Sequence, residues 1–137
     1  MKYLTIGLCV LAVILCLCLL FAYLSDQYLD ETEALLREAA QYFPAGDYDS
    51  ILPLAREAQE TWESHKGFFS SILSHSELEE VNYCFASMTA YAECGEMAEL
   101  RDAYSRLLSM LEHLRSMDRP RYYNILSPIV NQFKFKG

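Results

Sequence analysis

Three histidines, His65, His75 and His113, are the side chains best suited to chemistry in this 137-residue chain. An imidazole titrates near neutral pH and ligates transition metals. Together with Glu77, Glu79 and Glu112 they supply the donor types of a zinc site. Their spacing argues against one. No two histidines stand four apart, and neither His-Glu-x-x-His nor Cys-x-x-Cys occurs. His75 falls at a predicted helix start, where it serves a cap or turn. His113 adjoins an apolar seam and is expected to be partly buried. Serines are plentiful, but Gly-x-Ser-x-Gly is absent. The scattered glycines form no phosphate-cradling loop. Acids at Glu57, Glu60 and Glu63, and at Glu77, Glu79 and Glu80, read as solvated helix faces. Acid–base work by paired carboxylates would need a cleft as well. The expectation is a protein without catalytic residues, cofactor or metal.

What the same residues can do is hold a shape or meet a partner. Trp62 is the sole tryptophan and lies on a helical stripe, which makes it a core residue first and a recognition anchor second. Of the ten tyrosines, Tyr28, Tyr48, Tyr83, Tyr91, Tyr104, Tyr122 and Tyr123 could line grooves between helices, and most of these fit half-buried positions at the core rim. We single out Trp62, His75, Glu77, His113 and Asn124 as the residues that fix local geometry or a partner surface. Cys84 and Cys94 share one predicted helix, ten residues and about 15 Å apart, beyond disulfide reach. Both are expected to be buried free thiols.

The elements that position these residues begin with a membrane segment. Residues 4–24 are 21 consecutive uncharged residues. As a helix they cover roughly 30 Å, the hydrocarbon thickness of a bilayer. A cleaved signal peptide would have a shorter apolar core and small residues before the cut. Ala22-Tyr23-Leu24 lacks the last of these. An uncleaved anchor in contact with lipid is expected. Lys2 precedes the span, and Asp26, Asp30, Glu31 and Glu33 follow it. Positive flanks stay cytoplasmic, which puts the remaining chain outside.

Charge divides that remainder. Residues 25–114 hold 18 acids against five bases, a net of −13, and residues 115–137 hold five bases against Asp118, a net of +4. An acidic body repels phosphate backbones, so nucleic acid is an unsuitable partner. The basic tail suits either anionic lipid or the acidic body, or is a solubilising end with no target.

Apolar periodicity predicts four amphipathic helices after the span and no strand. Tyr28, Thr32, Leu35, Leu36, Ala39, Tyr42 and Phe43 mark the first. No Gly or Pro interrupts positions 8–43, so the membrane helix can continue straight into it until Pro44 and Gly46. Asp47 is a suitable N-cap for the second, whose stripe is Tyr48, Ile51, Leu52, Ala55, Ala58 and Trp62. Pro53 there implies a kink or a later start. Lys66-Gly67 reads as its C-terminal stop, and Phe68, Phe69, Ile72 and Leu73 as a short apolar turn. Ser74-x-x-Glu77 and Ser76-x-x-Glu79 are overlapping capping boxes for the third, with Leu78, Val81, Cys84, Phe85, Met88 and Ala92 facing inward. Gly95 ends it. Met97, Leu100, Tyr104, Leu107, Leu111 and Leu114 form a three-four seam on the fourth. Short connections imply antiparallel neighbours, the last two helices forming a hairpin. The expected fold is all-α: an anchor over 1–25, an antiparallel bundle of about four helices over 26–126, and a basic tail over 127–137.

A set of short motifs goes with this plan: Trp62 followed by Lys66, His75-Ser76-Glu77, Ala90-Tyr91, Glu112-His113-Leu114 and Asn124-Ile125-Leu126. In their order and spacing the chain resembles the family called domain of unknown function 4363, small anchored helical proteins largely of Gram-positive bacteria. The resemblance covers nearly the whole chain. It implies an exported, anchored helical domain and no reaction. Because family members are often encoded beside a multi-pass membrane protein, it also implies a membrane partner. Pro53 and the basic tail depart from the pattern. The expected role is interaction or scaffolding with another membrane or envelope protein. An envelope ligand sensor and a metal-assisted hydrolase are the rival readings.

Overall fold

A computed structural model describes residues 1–118, which form five helices and, among the described residues, no strand. They are α1 (Lys2–Ala40), α2 (Tyr48–Ser64), α3 (Lys66–Phe69), α4 (His75–Cys94) and α5 (Met97–Asp118). The expectations for Asn124, for Tyr122, Tyr123, Ile125 and Leu126, and for the tail over 127–137 lie outside the described residues.

α1 is 39 residues long and unbroken. At about 1.5 Å per residue it reaches nearly 60 Å, twice the hydrocarbon core of a bilayer. Its two halves differ in what surrounds them. The first half is long and apolar enough to cross a membrane, with a mean hydropathy of 3.1 over its most apolar window, and none of that window is buried in the protein. From Ser25 onward a buried seam begins: Ser25, Leu29, Thr32, Leu36 and Ala39, continued by Phe43 in the turn beyond. These steps of four and three are the spacing of a helix that packs along its length. Tyr28, Leu35 and Tyr42, expected on the stripe, are only partly buried and form its rim. Glu33 lies within the buried face despite its charge.

α1 ends in a turn closed by Gly46 at φ 63°, a left-handed conformation that glycine adopts without a Cβ clash. Asp47 then caps α2, accepting from the Ser50 N–H at 3.3 Å. The helix starts at Tyr48, ahead of Pro53, and runs through it. Pro53 faces solvent, which can hydrate the carbonyl its missing N–H leaves free.

Two expectations in the next stretch are corrected. Gly67 does not stop α2. The capping residue is His65, with φ −101° and no left-handed turn, and Gly67 lies inside α3. Of the two capping boxes only Ser74-Glu77 forms, since Ser76 already lies inside α4. The Glu77 carboxylate accepts the Ser74 N–H at 2.8 Å, and the Ser74 hydroxyl accepts the Glu77 N–H at 3.3 Å. Gly95, at φ 73°, ends α4 and hands the chain to α5.

α1 packs against α2 and α5, and α4 packs against the same two, so the four long helices close a ring in the order α1, α2, α4, α5. Neighbours run antiparallel, joined by short turns. The core contains Leu29, Leu36, Ile51, Trp62, Val81, Phe85, Leu100, Leu107 and Leu111, all at most 1% exposed.

Candidate functional site

The alternation of directions gives the bundle two ends. The apex carries the α1–α2 turn and Gly95. The base is the end from which the apolar half of α1 continues. It collects the last turn of α2, α3, the start of α4, the end of α5 and residues 21–33 of α1.

Most of the residues singled out by sequence meet at this base. Trp62 is 1% exposed, so it is a core residue rather than a surface anchor. Its indole stacks on Phe69 with centroids 4.7 Å apart and planes at 18°, and on Phe85 with centroids 6.2 Å apart. The indole N–H donates to Asn82 Oδ1 at 2.9 Å, so the one polar atom of the ring is satisfied. His65, just past α2, stacks on Tyr28 of α1 at 3.8 Å, and its Nδ1 lies 2.9 Å from the Thr61 carbonyl oxygen.

Glu77 sits in the capping box. Its hydrogen bonds from the Ser74 side chain and backbone hold its carboxyl below the usual carboxylate range, and the nearby His113 of α5 pulls the same way. His75, the first residue of α4, is exposed, with Nε2 3.0 Å from Glu79. His113 is exposed as well, which corrects the expectation of partial burial. It lies one step off the seam residue Leu114, and that step turns it to solvent. The histidines share an end of the molecule but no centre. Among the described residues no three His, Cys, Asp or Glu side chains converge as a metal site would require.

The base also holds a charge cluster that sequence reasoning missed. The Arg115 guanidinium stands 2.6 Å from Asp30, 3.3 Å from Glu33 and 3.9 Å from Asp26. Glu33 is 5% exposed and has Arg37 as a second cation at 3.7 Å. Asp26 Oδ1, Glu33 Oε1 and Arg115 Nε are buried without a hydrogen bond of good geometry. Charge proximity therefore carries the contacts to Asp26 and Glu33, while Arg115 donates a hydrogen bond to Asp30. The signal available in sequence was Glu33 at a position one step from Thr32 on the seam. Its partner lies 82 positions away, and only the topology brings the two together.

Shallow depressions between α4 and α5 are lined by Tyr91, Ala98, Glu99 and Asp102, and by Tyr83, Cys84 and Arg106. Neither brings a histidine to its rim. Cys84 is buried as expected, with its Sγ 3.6 Å from Met110 Sδ, and burial pushes its thiol pKa up. A thiol held protonated is a poor nucleophile. Cys94 is exposed, contrary to expectation, because it lies in the last turn of α4 off the core face.

The family described as "Domain of unknown function (DUF4363)" matches residues 20–125, well over half of the chain, and the protein belongs to that family. The matched region starts inside the apolar run, four positions before its end, so the last turn of that run is part of the family's domain. No match was found among curated proteins or among solved structures.

Proposed function

We propose that this member of the family is a membrane-anchored, extracytoplasmic scaffold that presents its bundle to another membrane or envelope protein, without catalysis of its own. The observation that carries this reading is the continuity of α1. One helix supplies both an exposed apolar rod of bilayer length and one of the four long helices that enclose the bundle's core. No linker separates the two, so the bundle is mounted on its anchor instead of tethered to it. A scaffold needs this stiffness, because an unbroken helix fixes height and direction over the membrane. The positive flank at Lys2 and the acidic flank after residue 25 favour the bundle on the outer side. The acidic surface of residues 25–114 suits a partner with basic outer loops.

The test is crosslinking in native membranes from exposed positions on the bundle, such as Tyr83 or Glu96, followed by mild-detergent purification and mass spectrometry. A stoichiometric membrane or envelope protein is the expected product. Recovery of the chain alone, or of a soluble chain lacking residues 1–24, contradicts the reading.

A further inference from the structure

The loop joining α2 to α4 reaches down to the apolar half of α1. The Phe68 ring lies 4.4 Å, centroid to centroid, from Phe21, and 5.2 Å from Tyr28 in an edge contact. Phe21 is inside the apolar run, three residues before its end at Leu24, which on a helix is about 4–5 Å deeper than that end. An element of the bundle therefore overlaps the stretch of α1 that the reading above assigns to the bilayer.

The loop has the composition for that position. Residues 64–76 carry no acid and one lysine, inside a body with a net charge of −13. Phe69 turns inward and stacks on Trp62, whereas Phe68 and Ile72 are only partly buried. Lys66, Gly67, Ser70 and Ser71 are exposed. Partly buried apolar rings beside a lysine and small hydroxyls match the head-group boundary, where an apolar face enters by about 5–10 Å and a cation meets phosphate. The apical turns give the contrast, with Asp47 in one and Glu96 in the other, while at the base the acids Glu63 and Glu77 stand in the helices on either side of the loop. α5 also ends at the base, pinned through Arg115 to Asp26 and Asp30.

We infer that the α2–α4 loop, through Phe68, Ile72 and Lys66, is a second membrane contact that seats the base of the bundle in the phospholipid head-group boundary. The inference rests on residues 4–24 crossing the bilayer. With it, the bundle touches lipid at two places and is fixed against tilting about α1.

Fluorescence quenching by phosphatidylcholine brominated near the head-group end of its acyl chains tests this on the full chain in vesicles. In a Trp62→Phe background, single reporters are placed by Leu20→Trp, Phe68→Trp and Ala45→Trp. Quenching of the reporters at 20 and 68 by more than about twofold, with the one at 45 nearly unaffected, is the result expected for a loop 5–10 Å into the boundary. A reporter at 68 that behaves like the one at 45, while position 20 is quenched, overturns the loop contact and leaves the anchor standing. Loss of quenching at position 20 itself removes the anchor and the loop contact together. A photoreactive benzoylphenylalanine at position 68 in the chain with Trp62 intact gives the same answer if the Trp62→Phe background fails to fold. A phosphatidylcholine adduct is expected, and its absence alongside an adduct from position 20 overturns the inference.

Discussion

At the apex of the bundle two chain reversals meet, each turning on a glycine at positive φ, and Tyr48 ties them by donating its hydroxyl to the Gly95 carbonyl at 2.8 Å. At the base there is, among the described residues, no left-handed residue. That end is held by an aromatic series, Phe21, Phe68, Tyr28, His65, Phe69 and Trp62, and by three carboxylates gathered around Arg115. The apex is closed by backbone conformation and needs small residues. The base is closed by side-chain contact and needs large ones. The difference teaches where substitution is tolerated and where the molecule has surface suited to lipid or to a partner.

The most severe way to break the contrast is Trp62→Ala. It removes the stack on Phe69, leaves a cavity against Phe85 and strands the Asn82 amide. A loss of about 3–5 kcal/mol is expected, measured by urea unfolding of the detergent-solubilised chain. A loss no larger than that of an exposed aromatic such as Tyr83→Ala would show that the base is not held this way.

Arg115→Ala comes next. It leaves Glu33 buried with Arg37 alone and places Asp26 and Asp30 beside it uncompensated. Asp30 is two-thirds exposed, so the full cost of a broken buried pair is discounted. About 2 kcal/mol is expected, falling when Glu33→Gln is added, since the double variant no longer buries the charge. A double variant as unstable as Arg115→Ala would assign the loss to packing of the arginine stem.

At the apex, Gly95→Ala sharpens the comparison. A Cβ there meets only the Tyr48 ring, at 3.8 Å, an ordinary contact. The cost is therefore conformational, about 1–2 kcal/mol, and Gly95→Asn should recover part of it because asparagine tolerates the left-handed region. Equal losses for Ala and Asn would contradict a conformational cause.

The smallest effect is the α4 cap. Ser74→Ala should cost about 1 kcal/mol at neutral pH. The folded chain holds the Glu77 carboxyl below its usual range, so its contribution is present above the ordinary glutamate pKa of about 4.3 and is lost as pH falls through the lower folded value. The gap between wild type and Glu77→Gln in melting temperature should accordingly narrow in acid. A gap that widens below that pH would reverse the sign.

Most helices were legible because their signals are local. Asp47, Ser74 and Gly95 sit at the ends they mark, and the three-four spacing of Leu100, Leu107, Leu111 and Leu114 is readable without a partner. The apolar rod was legible from its uncharged run, and its continuation to Ala40 from the absence of glycine and proline over positions 8–43. What stayed hidden depends on contacts distant in sequence. Gly67 follows Lys66 as a helix stop would, yet Phe69 docking on Trp62 keeps the chain helical through it. His113 looked half-buried because one step along a seam is invisible without the neighbour's surface. Trp62, the pair His75 and Glu77, and His113 stand apart in the sequence, and only the antiparallel order of α1, α2, α4 and α5 gathers them at one end.

Everything in this account depends on α1 passing from lipid into the bundle without a hinge. Hydrogen–deuterium exchange of the full chain in lipid nanodiscs reads that directly at the amides of residues 21–29. Exchange there as slow as over residues 30–36 is expected, because the helical hydrogen bonds are continuous and covered on both sides of the boundary. A fast-exchanging stretch between residues 24 and 28 would contradict it, since the bundle would then hang from its anchor on a flexible joint.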